Sequence, residues 1–76
     1  MMIVIYSDKA QKELKKYEID REWMSGELRK IFDLSGVEYS ASGMVAVENY
    51  VLVNTVSNGV IEITDIFSEE NTIVLD

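Results

Sequence analysis

The segment that decides the fold is YVLVNTVSNGVIEITDIF, residues 50–67 of this 76-residue chain. Two runs rich in β-branched residues flank the dipeptide Asn58-Gly59. A type I′ turn needs positive φ at both of its central residues, which asparagine tolerates and glycine adopts freely. The segment therefore predicts a β-hairpin with a two-residue turn and a fixed register.

The hairpin register separates the residues into two sheet faces. A two-residue loop pairs Ser57 with Val60, Asn54 with Ile63, and Leu52 with Asp65, and side chains alternate between the faces along each strand. We expect the first face to pack against helices, and it would carry Tyr50, Leu52, Asn54, Val56, Ile61, Ile63, Asp65 and Phe67. The opposite face, which we expect to be uncovered, would carry Val51, Val53, Thr55, Glu62, Thr64 and Ile66.

Two helices are predicted between an N-terminal strand, MIVIY, and the C-terminal strands. Ser7 is placed to cap a helix from about Asp8 to Tyr17, and Asp20 to cap a second helix. The second helix has a broad apolar face, in which we expect Trp23 to be a core residue rather than a binding anchor. Ser25-Gly26 in its middle predicts close approach of another backbone.

Further short strands are predicted at Met44 to Val47, after a turn at residues 40–43, and at Thr72 to Leu75. Glu48-Asn49 is predicted to connect two strands tightly. The predicted order is β-α-α-β-β-β-β within a single domain of residues 1–76. This pattern is typical of an α+β fold with two helices packed on one face of a mainly antiparallel sheet.

Charge is distributed unevenly along the chain. All seven basic residues lie in the first 30 positions, where six acids leave a balance of +1. The remaining 46 residues have no Lys or Arg and eight acids, a balance of −8. This C-terminal segment should repel phosphate and attract basic surfaces, although acidic residues can also be present only because they increase solubility.

Composition excludes several kinds of chemistry. The chain has no cysteine and no histidine, so disulfides, thiolate metal sites and an imidazole base are all ruled out. No apolar run approaches the roughly 20 residues that span a membrane. We expect a soluble, cytoplasmic protein without a cofactor or metal, since the acids near Asp65 lack the spacing of a calcium loop.

The chain resembles the RelE/ParE-type toxin superfamily over nearly its whole length. The resemblance rests on the opening IVIYSDKAQKELKKYEID, the helix REWMSGELRKIF and the hairpin VENYVLVNTVSNGVIEITDIF. Ser7, Ala10, Leu14 and Lys15 match the family's opening, and Tyr50, Val51, Ile61, Ile63 and Ile66 match its hairpin. The resemblance implies the fold described above. For the function it implies an mRNA endoribonuclease of a toxin-antitoxin system.

The chain departs from the family where the chemistry is performed. Ribonucleases of this superfamily place basic residues or tyrosine on the concave sheet and near the C-terminus, because RNA is held by its phosphates. Here that stretch reads Phe67-Ser68-Glu69-Glu70 and has no basic residue. We therefore favour a non-catalytic protein without catalytic residues and without direct nucleic-acid binding, and keep the ribonuclease as the alternative.

The leading hypothesis is a small acidic binding protein. It would inhibit a nucleic-acid-handling partner that has a basic surface, as an inhibitor of the phage anti-defence or anti-CRISPR type does. A structural homodimer through the same face is a further alternative. The predicted partner-binding residues are Val51, Val53, Thr55, Glu62, Thr64, Ile66, Glu69 and Glu70. Asn54 and Asp65, diagonal neighbours in the predicted register, form a possible polar site.

Overall fold

The computed structural model describes residues 2–35 and 41–69, which contain two helices and four strands. The elements are β1 (Ile3–Tyr6), α1 (Asp8–Lys16), α2 (Arg21–Ser35), β2 (Ala41–Val47), β3 (Tyr50–Ser57) and β4 (Val60–Ser68). This composition and order confirm the predicted α+β class. The predicted strand at Thr72 to Leu75 lies outside the described residues.

The four strands form one mixed sheet in the order β1-β4-β3-β2. β3 pairs antiparallel with both β2 and β4, whereas β1 is parallel to β4. Parallel neighbours need a crossover connection, and α1 and α2 are part of the chain that makes it. The sheet is therefore mainly antiparallel, as predicted. Both helices lie in the segment of chain that connects the parallel strands β1 and β4.

Both helices begin at the predicted capping residues. Ser7 Oγ accepts a hydrogen bond of 3.1 Å from the Ala10 backbone N–H, and Asp20 Oδ1 accepts one of 3.2 Å from the Glu22 N–H. Each cap satisfies an N–H that has no partner within its helix. α1 ends at the residue before Tyr17, within one position of the prediction.

The core lies between the helices and one sheet face. It contains Tyr6, Ala10, Leu14, Met24, Leu28, Phe32, Val47, Leu52, Val56, Ile61, Ile63 and Ile66. The prediction that Trp23 belongs to it is wrong, because 39% of that residue is exposed. Successive helical residues point about 100° apart, so burying Met24 and Leu28 turns Trp23 towards the edge of the apolar face. The predicted backbone approach at Gly26 is also wrong for the part of the chain that the structure describes, where nothing lies within 4 Å of the position its Cβ would occupy.

The hairpin has the predicted type I′ turn. Asn58 and Gly59 have φ values of 52° and 77°, and the register matches the prediction from Ser57↔Val60 to Asn54↔Ile63. Beyond that point a β-bulge shifts it, so that Val53 pairs with Asp65. The predicted pairing of Leu52 with Asp65 is wrong, because Leu52 pairs with Ile66.

The bulge leaves Thr64 as an extra residue of β4 and exchanges the faces of everything after it. Ile66, predicted on the uncovered face, is fully buried, and Phe67, predicted in the core, is 41% exposed. Asp65, also predicted on the helix-covered face, lies opposite Val53 instead. These three assignments were wrong for a single reason, since one inserted residue reverses side-chain alternation.

The bulge lies where β1 ends and α1 takes its place beside β4. Ser7 donates its backbone N–H to the Ile63 carbonyl at 2.9 Å and its hydroxyl to the Thr64 carbonyl at 3.1 Å. Two residues further on, the Ile66 N–H donates to Glu13 Oε1 at 2.8 Å. Side chains of the helix region thus replace the strand hydrogen bonds that β1 no longer supplies.

β2 begins earlier than predicted. Ala41, Ser42 and Gly43 belong to the strand and pair with Val56, Thr55 and Asn54, so the predicted turn over residues 40–43 is wrong for these three. A glycine weakens a strand without preventing it, and the long partner β3 gives all three residues a register. The predicted tight connection at Glu48-Asn49 is confirmed, since Val47 pairs with Tyr50.

Candidate functional site: the open face of the sheet

The sheet has one face covered by helices and one face on which no described element packs. The pairing registers and the alternation of burial along the strands identify the residues of the second face, which we call the open face. Its members are Ile3, Ile5, Met44, Ala46, Val51, Val53, Thr55, Val60, Glu62, Asp65 and Phe67.

Large apolar side chains are exposed at both ends of the open face. Ile3 and Ile5 of β1 are 59% and 42% exposed at one end. Met44 and Phe67 are 73% and 41% exposed at the other, and the half-buried Val51, which pairs with Phe67, lies between the strands that carry them. Exposed large apolar side chains that share one face of a sheet indicate an interaction surface.

Two carboxylates lie between these apolar ends. Glu62 is half-buried, and its register partners are Ile5 on β1 and Thr55 on β3. Within residues 2–35 and 41–69 it forms no ion pair. As a half-buried carboxylate beside the apolar Ile5, it would gain from a cationic group placed over the sheet.

Asp65, in contrast, already has a cationic partner. Lys9 of α1 forms an ion pair with it. The hydrogen bond from the Lys9 ammonium lowers the pKa of Asp65 below its ordinary value, and the same bond raises the pKa of Lys9. The pair joins α1 to β4 at the rim of the open face, so Glu62 is the acid of this face that is left for a partner.

The predicted partner-binding residues lie in different environments. Val51, Val53, Thr55 and Glu62 lie together on the open face, and Thr64 lies at the bulge with its hydroxyl donating to the Val53 carbonyl at 3.4 Å. Ile66 does not belong to the surface at all, because it is fully buried. Glu69 is exposed just after β4, and Glu70 lies outside the described residues.

The possible polar site at Asn54 and Asp65 does not form. Asn54 is 5% exposed and pairs with Ile63 on the helix-covered face, whereas Asp65 pairs with Val53 on the open face. The bulge between them separates the two side chains. Asn54 is therefore a core residue, and Asp65 is one half of an ion pair.

Sequence reasoning missed six apolar members of the open face: Ile3, Ile5, Met44, Ala46, Val60 and Phe67. The residues MIVIY, which contain β1, are apolar throughout, so the sequence alone does not show which of them face the core. That assignment requires knowing which face of the sheet the helices cover. For Phe67 the missing knowledge was the bulge. No short-range pattern in ITDIF distinguishes a bulged strand from a regular one.

The chemistry of the open face is apolar and acidic. Within the described residues, the open face itself has no Lys or Arg, and no group of three or more Asp or Glu residues is arranged to hold a metal ion. None of the described helices is long and apolar enough to span a membrane. What the face offers chemically is apolar area with a carboxylate at its centre.

Comparisons with known proteins do not add to this picture. No family model matches the chain, and neither a curated protein nor a solved structure matches it.

Proposed function

We propose that this chain is a non-catalytic binding protein that uses the open face to occupy a surface of a protein partner. The observation that carries the proposal is the exposure of Ile3, Ile5, Met44 and Phe67 on one face of the sheet, around the unpaired Glu62. Burying such side chains contributes about 25 cal/mol per Å² of apolar area. A basic residue of the partner would meet the Glu62 carboxylate.

A basic partner fits this surface better than a second copy of the chain does. Two copies stacked through their open faces would bring two Glu62 carboxylates into one interface, and each copy has a net charge of −7. Like charges that are desolvated together oppose association, whereas opposite charges promote specificity and rapid encounter. The partner would be a nucleic-acid-handling protein, since such proteins have strongly basic surfaces.

The consequence for that partner would be inhibition. A protein that covers a basic, nucleic-acid-binding surface competes with phosphate for the same side chains. The absence of basic residues after Lys30 supports this reading, because a RelE/ParE-like scaffold without them lacks the groups that would hold RNA on the sheet. An inhibitor of the phage anti-defence type would act in this way.

The test is capture of partners by four tagged proteins: the natural chain and the variants Phe67→Ser, Glu62→Lys and Trp23→Ser. Phe67 and Trp23 are large aromatic residues with 41% and 39% exposure, the first on the open face and the second on α2. Trp23→Ser is therefore a matched control for the loss of an exposed ring. Circular dichroism would verify that each variant is folded.

We expect one set of proteins to be retained by the natural chain and by Trp23→Ser, and lost from Phe67→Ser and Glu62→Lys. Retention should weaken as ionic strength rises, because salt screens the charges that attract the partner. Equal capture by Phe67→Ser and the natural chain would contradict the proposal. So would light scattering that shows a dimer disrupted by Phe67→Ser, which would favour self-association.

A further inference from the structure

A cleft separates β1 from α2 on the helix-covered side of the molecule, away from the open face. It has a volume of about 520 Å³ and is lined by Val4, Arg21, Glu22, Ser25 and Arg29. Arg21, Ser25 and Arg29 follow one another at intervals of four residues, which places them on one stripe of α2. The cleft thus brings two guanidinium groups and a hydroxyl to one place in a protein that is otherwise strongly acidic.

Both arginines contact the N-terminal segment that contains β1. The Arg29 Nε–H donates to the Met2 carbonyl at 3.1 Å, which leaves the other four N–H groups of that guanidinium for another acceptor. The Arg21 guanidinium lies over the Tyr6 ring, 5.2 Å from its centroid. Within the described residues neither arginine forms an ion pair with a carboxylate, although Glu22 lines the same cleft.

A hydroxyl group that can act as a donor also lines the cleft. Tyr6 Oη and Ser25 Oγ are joined by one buried hydrogen bond of 2.9 Å. Two hydroxyls have two hydrogens, and the hydrogen bond between them uses one. When Tyr6 is the donor, the hydroxyl hydrogen of Ser25, which lines the cleft, can bond to another acceptor. Burial raises the pKa of Tyr6 above its ordinary value, so its hydroxyl is protonated at neutral pH and can donate to Ser25.

The edge of β1 supplies a backbone donor. Ile3 and Ser7 donate their N–H groups towards β4, to the carbonyls of Gly59 and Ile63. Alternation along a strand turns the N–H of Val4, which lines the cleft, away from β4. The strand therefore brings to the cleft an amide that does not bond to β4, beside the side-chain donors of the helix.

We propose that this cleft binds the phosphate group of a small phosphate ester, with Arg21 and Arg29 as its charged donors. A tetrahedral phosphate presents at least three oxygens, which suits two planar guanidiniums, a hydroxyl and an amide better than the two oxygens of a carboxylate do. The cleft volume is in the range of small-molecule sites. A long polyanion would have to pass Asp20, Glu22 and Glu27, which flank the arginines along the chain.

Titration of the ¹⁵N-labelled protein with inorganic phosphate, at constant ionic strength, tests this site. We expect saturable shifts at the Val4 and Ser25 amides and at the Arg21 and Arg29 Nε–H groups, with binding that weakens as pH falls and the phosphate dianion becomes protonated. Phenyl phosphate should bind at least as tightly, and acetate more weakly. Shifts that rise linearly without saturation would overturn the proposal.

The variant Arg21→Gln/Arg29→Gln should lower phosphate affinity by about tenfold or more, because it removes both charged donors. Its matched control is Lys12→Gln/Lys15→Gln, which removes the same charge from a cleft of about 270 Å³ on α1 and should change the affinity by less than about twofold. If the double variant loses its fold, Arg21→Gln alone, at an exposed position, should still weaken binding severalfold. Equal losses in the arginine and lysine variants would overturn the site. So would tighter binding of a single-stranded oligonucleotide, which would assign the cleft to nucleic acid.

Discussion

At the scale of single residues, Glu18 and Gly26 depart from what their local backbone favours. Glu18 has a φ of 54° at the end of α1, where its N–H donates to the Lys15 carbonyl and the Ile19 N–H donates to the Leu14 carbonyl. These bonds form a Schellman motif, whose left-handed residue is usually glycine. Gly26 shows the reverse, a glycine within a helix that has room for a side chain.

Replacing Glu18 with glycine should therefore stabilise the protein. Glycine adopts positive φ without the steric cost that a residue with a Cβ carries, and that cost is about 1 kcal/mol. We expect the free energy of unfolding to rise by up to about that amount, measured by urea denaturation. Glu18→Ala is the control and should not stabilise, because alanine retains the Cβ.

Replacing Gly26 with alanine should also stabilise, by about 1 kcal/mol, through higher helix propensity. The open space around the position means that the added methyl group displaces nothing. Urea denaturation would show whether the free energy of unfolding rises or falls. A loss of stability would show that Gly26 is kept for a contact with something other than the described residues.

At the scale of secondary-structure elements, the bulge in β4 decides which side chains face the core. Regular alternation would leave Ile66 on the surface and Phe67 inside, and the structure has the opposite. The anchoring bonds come from Ser7 and Glu13, 53 or more residues away in sequence. Long-range contacts of this kind cannot be read from the local pattern of β4.

Alanine substitutions test the bulge directly. Ile66→Ala should lower the free energy of unfolding by about 2–5 kcal/mol, since it leaves a cavity in a packed core. Phe67→Ala should cost far less, because much of that ring is in contact with solvent. Chemical denaturation of both variants measures the difference. The reverse order would contradict the bulged register.

The ion pair between α1 and β4 predicts a pH dependence. Lys9 lowers the pKa of Asp65, so the pair's contribution is present above the ordinary aspartate value of 3.8 and is lost as pH falls through the lower folded value. The same pair raises the pKa of Lys9, so the contribution is also lost as pH rises through a value above 10.5. Titration of the Asp65 side-chain carbon by NMR should give a pKa below 3.8, and in Lys9→Gln it should return towards that value.

At the scale of the whole molecule, much of the architecture could be predicted from the sequence. Ser7 and Asp20 as helix caps, the Asn58-Gly59 turn and the α+β class all follow from short-range chemistry that the structure confirms. The open face could be predicted only in part, because its membership depends on the bulge and on which side of β1 is covered. The resemblance to RelE/ParE-type toxins and the inhibitory function stay predictions.

The uneven charge predicts a response to salt. With a net charge of −7, the folded chain concentrates acids that repel one another, and added salt screens this repulsion. We expect the melting temperature to rise by a few degrees as sodium chloride is raised from low to physiological concentration. Differential scanning calorimetry would check it, and a falling melting temperature would show that attractive pairs dominate instead.

The parallel pairing of β1 with β4 also limits how early the chain can fold during synthesis. Ile3 to Tyr6 find their strand partners only at Val60 to Ile63, so a ribosome must release nearly all the described residues before the sheet acquires its fourth strand. The β3–β4 hairpin can form first, because its contacts are local. The N-terminal strand can pair, and the helices can pack on the complete sheet, only after β4 has formed. Until then the apolar β1 edge and the sheet face that will become the core are exposed to chaperones and proteases.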